Sequence, residues 1–378
     1  MRQRKSGIAR AAVAVIIVVV LVVAGAAYFF VVVPPSHPST TSSASVQAPG
    51  SITVDEIPSP VSVDPASSYD VPGGEIMQNV YQGLVFYNGR SGSSFVGVLA
   101  QTWTESNGLN YTFNLYPAET FSNGTPLNAS TIWYSFYRTM VLNLGISSYL
   151  SQVLAVSGGA GFTGNVTATT KGNIRLPFGV EQALASAGYS FPSGQTQAYQ
   201  RAANDLASIL SHFNAANSTV KSIMSYSHQA VSVSGADQVK VNLDFPYADF
   251  LQVISGGLGD AVDPAFVTSH GGVQIDTANS YTTKNALGSG PYTLTTPLGG
   301  SNVVLKANPN YWAAKLSASQ RSVWLTPPSI QTVVIDYQSN EAIRVSDIQQ
   351  GVAQISQVEI PDLHEVSNYT GITVHNRS

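Results

Sequence analysis

The sequence predicts an α/β protein displayed outside a membrane, and three observations carry that expectation. Short runs that alternate every second residue, such as Tyr111 to Leu115, take turns along the chain with stretches of helical periodicity, such as Ala202, Leu206, Ile209, Leu210 and Phe213. An unbroken apolar run from Ala11 to Val33 precedes all of them. There is no cysteine in the 378 residues, which excludes a disulfide framework, a thiolate metal site and a lipid-anchored cysteine.

Taken in order, residues 1–10 carry Arg2, Arg4, Lys5 and Arg10 and form a cytoplasmic basic segment. Residues 11–33 are long enough, at about 1.5 Å per residue, to cross the roughly 30 Å hydrocarbon core as a single transmembrane helix with its N-terminus inside. The alternative is a signal peptide cleaved near Ala24-Gly25-Ala26-Ala27. Residues 34–50 are rich in Pro, Ser and Thr and form an extended stalk. A first strand follows at Ser51-Ile52-Thr53-Val54, and Ile76, Val80 and Leu84 share one face of a short helix. A helix over Thr131 to Leu142 has Asn128 or Ser130 as its N-cap.

Residues 145–195, rich in Gly, Ser and Thr, read as loops, and a helix resumes from Tyr199 to Asn214. A hairpin turns at Ser234-Gly235-Ala236-Asp237. A short helix over Phe250 to Ile254, a strand over Ile330 to Tyr337 and a helix over Glu341 to Gln350 stopped by Gly351 complete the reading.

Composition narrows the function. Setting aside the four basic residues before Ala11 leaves 13 Lys and Arg against 21 Asp and Glu, a balance of −8, so the exterior carries no nucleic-acid footprint. Charged residues make up 10% of the chain, against about 25% in ordinary soluble domains. The six histidines show no metal-ligating spacing, no phosphate loop or nucleophile elbow occurs, and the carboxylates suggest no acid/base pair. No catalytic residue, cofactor or metal is expected. Asn110, Asn123, Asn128, Asn165, Asn217, Asn368 and Asn376 each open an Asn-X-Ser/Thr sequon, which in an exterior chain marks candidate glycosylation sites.

Two strings carry the most specific information: Gly288-Ser289-Gly290-Pro291-Tyr292 and Asn308-Pro309-Asn310-Tyr311-Trp312. With Asp64-Pro65, Asn79-Val80-Tyr81-Gln82-Gly83-Leu84, Leu99-Ala100-Gln101-Thr102-Trp103 and Phe121-Ser122-Asn123-Gly124-Thr125-Pro126, they resemble the family 5 extracytoplasmic solute-binding proteins, receptors of peptide, nickel and oligosaccharide ABC importers. The matching patterns read roughly GTGPY, NPdYW, nvYegL, LAesW and FhdGtp.

The resemblance implies a multi-lobed, periplasmic-binding-protein-like type II fold. Residues 51–75 and 236–312 would form lobe I and residues 76–235 lobe II, with residues 313–378 beginning a third, incomplete domain. It implies hinge closure around a small solute, an oligopeptide first and an oligosaccharide next, and delivery to ABC permease subunits in the membrane. A cell-surface adhesive glycoprotein borrowing the fold and a non-functional truncated remnant are the rival readings.

Asp64, Tyr69, Tyr81, Trp103, Ser289, Tyr292 and Trp312, in or beside the matched strings, are the candidate solute-binding residues; ordinary core packing is the competing reading for the aromatic ones. Where the family commonly carries Asp or Glu, this chain has Asn107, Asn123, Thr131, Asn310 and Gln354, and where it has Arg this chain has Tyr116. Amides keep their hydrogen bonds where carboxylates would protonate, so an acidic exterior is expected. Thr131 removes the acidic partner of a capping box, which predicts a looser start to its helix.

Overall fold

The computed structural model describes residues 50–89, 91–155 and 176–375. The expected basic segment, transmembrane helix and nearly all of the stalk lie outside the described residues, as do Asn165 and Asn376. Among the described residues no helix is long and apolar enough to cross a membrane. Tyr87–Phe95 belongs to a small unit of its own, in which the Asn88 N–H donates to the Ser94 carbonyl at 2.8 Å. The other unit, from residue 48 to 86 and from 96 onward, holds the elements that follow.

Its strands are β1 (Ser51–Glu56), β2 (Ala100–Ser106), β3 (Asn110–Leu115), β4 (Val231–Val233), β5 (Gln238–Asn242), β6 (Tyr292–Leu294), β7 (Asn302–Ala307), β8 (Thr332–Tyr337) and β9 (Ile355–Ser356). Its main helices are α1 (Val71–Val80), α2 (Ala129–Leu142), α3 (Ser147–Leu154), α4 (Val180–Ser186), α5 (Gln195–Ser211), α6 (Ser218–Ser225), α7 (Phe250–Ile254), α8 (Pro264–Ser269) and α9 (Glu341–Gln350).

A five-stranded sheet runs β9-β1-β8-β7-β6. Strand β1 is parallel to β8 and β9, while β7 is antiparallel to both its neighbours, β8 and β6. A four-stranded antiparallel sheet runs β2-β3-β5-β4. Alternation places Tyr111, Phe113 and Leu115 of β3, with Val239 and Val241 of β5, on the buried face.

Helix α2 covers that sheet and is buried nearly all round: Trp133, Tyr134, Phe136 and Tyr137 are each 0% exposed. Burial of each such ring stabilises the fold by about 1.5–3 kcal/mol before entropy is counted. Asn128 is its N-cap, and the Thr131 hydroxyl accepts from the Asn128 N–H, so a capping box forms without a carboxylate. The expected loosening of this helix start is thereby corrected, because a hydroxyl at the third position reaches the same backbone donor.

Strand pairing joins segments that the sequence reading places in different lobes. Gln238–Asn242, assigned from sequence to lobe I, pairs with β3 and β4 in the four-stranded sheet. Thr332–Tyr337 and Ile355–Ser356, assigned to a third domain, flank β1 in the five-stranded sheet. Pairing of distant strands, rather than position along the chain, decides membership of a sheet. Residues 145–195, read as loops, contain α3 and α4, whose short apolar stripes (Leu150, Val153, Leu154; Val180, Ala183, Leu184) fill the core beneath Gly- and Ser-rich surroundings.

Candidate functional site

The matched strings meet at a buried joint. Gln82, two residues beyond α1, donates through Nε2 to the Tyr311 hydroxyl at 2.9 Å. Its Oε1 accepts from the Ser289 hydroxyl at 3.0 Å and from Trp312 Nε1 at 2.8 Å. The Tyr116 ring lies 5.5 Å from that of Trp312, and its hydroxyl donates to the Gln320 carbonyl.

Glycine is required beside this joint by close approach. A Cβ on Gly288 would lie 1.9 Å from the Val80 carbonyl oxygen, and one on Gly290 would lie 2.5 Å from that of Asn79. The Gly290 N–H donates to the Val80 carbonyl at 2.9 Å, and Asn308 Nδ2 donates to the Gly290 carbonyl at 2.9 Å. The segment from Tyr116 to Leu127, which leads from β3 to α2, closes over the same place. Ser122 N–H donates to the Gly288 carbonyl, and Asn310 Nδ2 donates to the Ser122 carbonyl.

A second buried feature is an ion pair. Arg138 of α2 grips Asp64 through Nη1 to Oδ1 at 2.8 Å and Nη2 to Oδ2 at 2.5 Å, with both side chains at most 2% exposed. The Thr282 hydroxyl donates to the same Asp64 Oδ2, and the Ala66 N–H donates to Oδ1 at 3.0 Å. Burial works to raise the Asp64 carboxyl, but the Arg138 guanidinium and these hydrogen bonds outweigh it and hold the group below the ordinary carboxylate value. The clamp ties the loop before α1 to α2 and to the loop around Thr282, and the Val63 N–H bonds the Thr283 carbonyl at 3.0 Å.

Other carboxyls move the opposite way. Burial first, then Asp347 and Asp336 beside it, push Asp55 from 3.8 up to about 6, while Ser356 and Arg344 act to lower it. Glu119 is 1% exposed, and neither of its carboxyl oxygens has a hydrogen-bond partner among the described residues. Burial raises it well above the ordinary value; the Tyr116 backbone acts to lower it, and Asp237 adds to the rise. Asp260 is likewise raised well above by burial.

The seven candidate residues thus fall into different environments. Asp64, Tyr81, Ser289 and Trp312 are buried; Ser289 and Trp312 converge on Gln82, and Asp64 on Arg138. Trp103 and Tyr292 are half-buried and separate, Trp103 opposite Phe113 on β2 and Tyr292 bonded through its hydroxyl to the Ile330 carbonyl. Tyr69 alone of the seven is open, at 77% exposure, on the loop that also exposes Val61. Tyr281, next to Thr282 of the clamp, is exposed as well and stacks on His270 with ring centroids 3.8 Å apart.

Sequence reasoning missed Arg138, Gln82, Thr282 and Tyr281. Arg138 had a signal, being the one charged residue on a helix of otherwise apolar and uncharged residues, where a cation must be buried and paired. Among the described residues no group of three His, Cys, Asp or Glu is placed to hold a metal ion.

Residues 94–378 match the family of bacterial extracellular solute-binding proteins, family 5, middle part. The chain belongs to that family. Its fold is similar to the murein tripeptide-binding protein MppA of Escherichia coli (18% identity, TM-score 0.54, covering 86% of this chain and 49% of that one). It is similar also to Haemophilus influenzae OppA in complex with RPPGFSPFR (15%, 0.55, 86% and 49%). A third such structure is NikZ from Campylobacter jejuni in complex with Ni(L-His) (15%, 0.54, 85% and 46%). The chain therefore spans about half the length of these family 5 relatives. No curated protein sequence matches it.

Proposed function

We propose that this family 5 chain is the solute-binding receptor of an ABC importer, held outside the membrane by residues 11–33. The observation that carries the reading is the family match over residues 94–378. The physical character of the site supports it: the polar groups at its centre are amides, hydroxyls and a paired ion, arranged to hold a shape rather than to move a proton or attack a bond.

In this reading the Gln82 joint and the Asp64–Arg138 clamp form the frame. The solute meets the open surface beside them, where Tyr69, Val61 and Tyr281 offer aromatic and apolar area. A peptide is the first expected solute and an oligosaccharide the second. Closure of lobes around it, and recognition of the closed form by permease subunits, follow the hinge mechanism.

The medium outside is proposed to be acidic. Asn123, Asn310 and Gln354 each donate an amide hydrogen, to Asp263 Oδ2, the Ser122 carbonyl and the Gly351 carbonyl respectively. An ionised carboxylate in any of these places would face an acceptor with no hydrogen to give.

The test is mass spectrometry of small molecules that co-purify with the protein, followed by Tyr69→Ala. The expected result is an enriched solute class that Tyr69→Ala loses while the melting temperature stays unchanged. Retention of the same solutes at the same level by Tyr69→Ala would remove the loop from the site, and no enrichment over a control protein would remove the receptor reading.

A further inference from the structure

The described sequons differ in what their amide groups are already doing. Asn123 Nδ2 donates to Asp263 Oδ2 at 3.0 Å, and Asn368 Nδ2 donates to the His364 carbonyl at 2.8 Å. Asn128 is half-buried at the N-cap of α2, its Oδ1 taken by the backbone and hydroxyl of Ser130. Asn110 is exposed but lies in β3, paired to Ser106 on one side and to Asn242 on the other.

Asn217 alone combines an open position with an uncommitted nitrogen. It is exposed, stands outside any strand and caps α6, its Oδ1 accepting from the Thr219 N–H at 2.9 Å and the Val220 N–H at 3.2 Å. With the carbonyl oxygen turned into the helix end, Nδ2 is left as the outward group and has no hydrogen-bond partner among the described residues. Beside it a groove of about 560 Å³ is lined by Ser218, Lys221, Ser222 and Ser225 of α6 and by Asn128 and Ser130 of α2. Met224, Val233 and Ala236 also line it, so the groove offers the first sugar rings hydroxyls and amides for their hydroxyl groups and an apolar floor for their C–H faces.

We infer that Asn217 is N-glycosylated, with the first sugars lying along this groove. The inference rests on the proposed exterior placement of the chain. The co-reactant is a lipid-linked glycosyl diphosphate, acted on by a membrane glycosyltransferase. The Nδ2–C1 bond forms as the bond between C1 and the diphosphate oxygen breaks, the amide loses one proton, and the lipid diphosphate departs. The Oδ1 acceptor survives the reaction, so the cap on α6 is kept.

The experiment is glycopeptide mapping of the full chain purified from its native membranes, alongside labelling of intact cells with a membrane-impermeant amine reagent. Two variants accompany it: Thr219→Ala, which destroys the sequon without touching the Asn217 side chain, and Thr219→Ser, which keeps it. The expected result is a sugar mass on the Asn217 peptide in the parent chain and in Thr219→Ser, absent from Thr219→Ala, whose melting temperature matches that of the deglycosylated parent. The peptides containing Asn123 and Asn368 are expected to be unmodified. Surface-labelled protein with a bare Asn217 peptide would overturn this inference while leaving the exterior placement standing. Protein that the reagent never labels would overturn both. Sugar on Asn123 or Asn368 in preference to Asn217 would show that amide availability does not select the site.

Discussion

Acidification from pH 7 to pH 4 is expected to raise the melting temperature of this protein, and Glu119→Gln to abolish part of that rise. A carboxyl whose folded pKa lies above its unfolded value binds its proton more tightly in the fold. Its stabilising contribution is fully present below the unfolded pKa, near 4, and is lost as pH rises through the folded one. Asp55, raised to about 6, has its window between pH 4 and 6, and after discounting for solvent screening around it that rise corresponds to about 1 kcal/mol. Glu119 and Asp260, raised well above the ordinary value, extend the window upward.

Asp64 works in the other direction. Its depressed pKa contributes stability above about pH 4 that is lost only as pH falls through the lower folded value. Between pH 4 and pH 7 the raised carboxyls therefore decide the sign, and the maximum of stability falls near pH 4. At about 2 °C per kcal/mol for a chain of this size, the Asp55 share alone is roughly 2 °C.

The assay is thermal unfolding at unit steps from pH 3 to 8 at constant ionic strength, on the parent chain and on Glu119→Gln. The buried amide cannot ionise, so the variant should match the parent at pH 4 and melt several degrees higher at pH 8. A melting temperature that falls steeply between pH 6 and pH 4, or a variant with the same pH profile as the parent, would refute the reasoning.

Three further outcomes follow from the same geometry. Gln82→Ala strands the Trp312 N–H and the hydroxyls of Ser289 and Tyr311 and opens a cavity, and is expected to cost about 2–4 kcal/mol in chemical denaturation, whereas Gln82→Glu, which keeps the acceptor for Ser289 and Trp312 and gives up only the donor to Tyr311, should cost less. Asp64→Asn leaves Arg138 buried and uncompensated and should cost about 3–5 kcal/mol, with Asp64→Asn/Arg138→Met recovering part of the loss; equal or greater damage in the double variant would contradict the pairing argument. Gly288→Ala forces a Cβ onto the Val80 carbonyl and should lower the melting temperature by more than 4 °C, while Gly92→Ala, with open space around its Cβ, should not.

Much of the fold was legible because long periodic elements report themselves. The helix from Glu341 to Gln350 and its stop at Gly351, at φ 71°, emerged as expected, as did the hairpin at Ser234–Asp237. What was not legible is what depends on distant partners. Nothing local to Thr332–Tyr337 says that its neighbour is Ser51–Glu56, nearly three hundred residues earlier in the chain. Nothing local to Ser147–Leu154 distinguishes a short buried helix from a loop when its surroundings are rich in Gly and Ser. The same limit acts on the site. Asp64 is a candidate solute-binding residue on the sequence alone, but the partners that hold it, Arg138, 74 residues away, and Thr282, are not legible there.

The placement of the matched strings explains why the family is readable from sequence while the solute is not. Gly288, Ser289, Gly290, Tyr311 and Trp312 are held by sub-van der Waals tolerances and by a single glutamine, so any chain that builds this joint is confined to nearly the same residues. Tyr69 and Val61 face solvent, with no packing to confine them, and can change with whatever they meet. A motif search therefore finds the frame, and in the proposed reading the residues that discriminate one solute from another lie in the loops, where no motif is expected. On this argument, exchanging Tyr69 and Val61 together should alter which solutes co-purify and leave the melting temperature within about 2 °C of the parent, since exposed substitutions cost under about 0.5 kcal/mol each. Exchanging Gln82 should do the reverse.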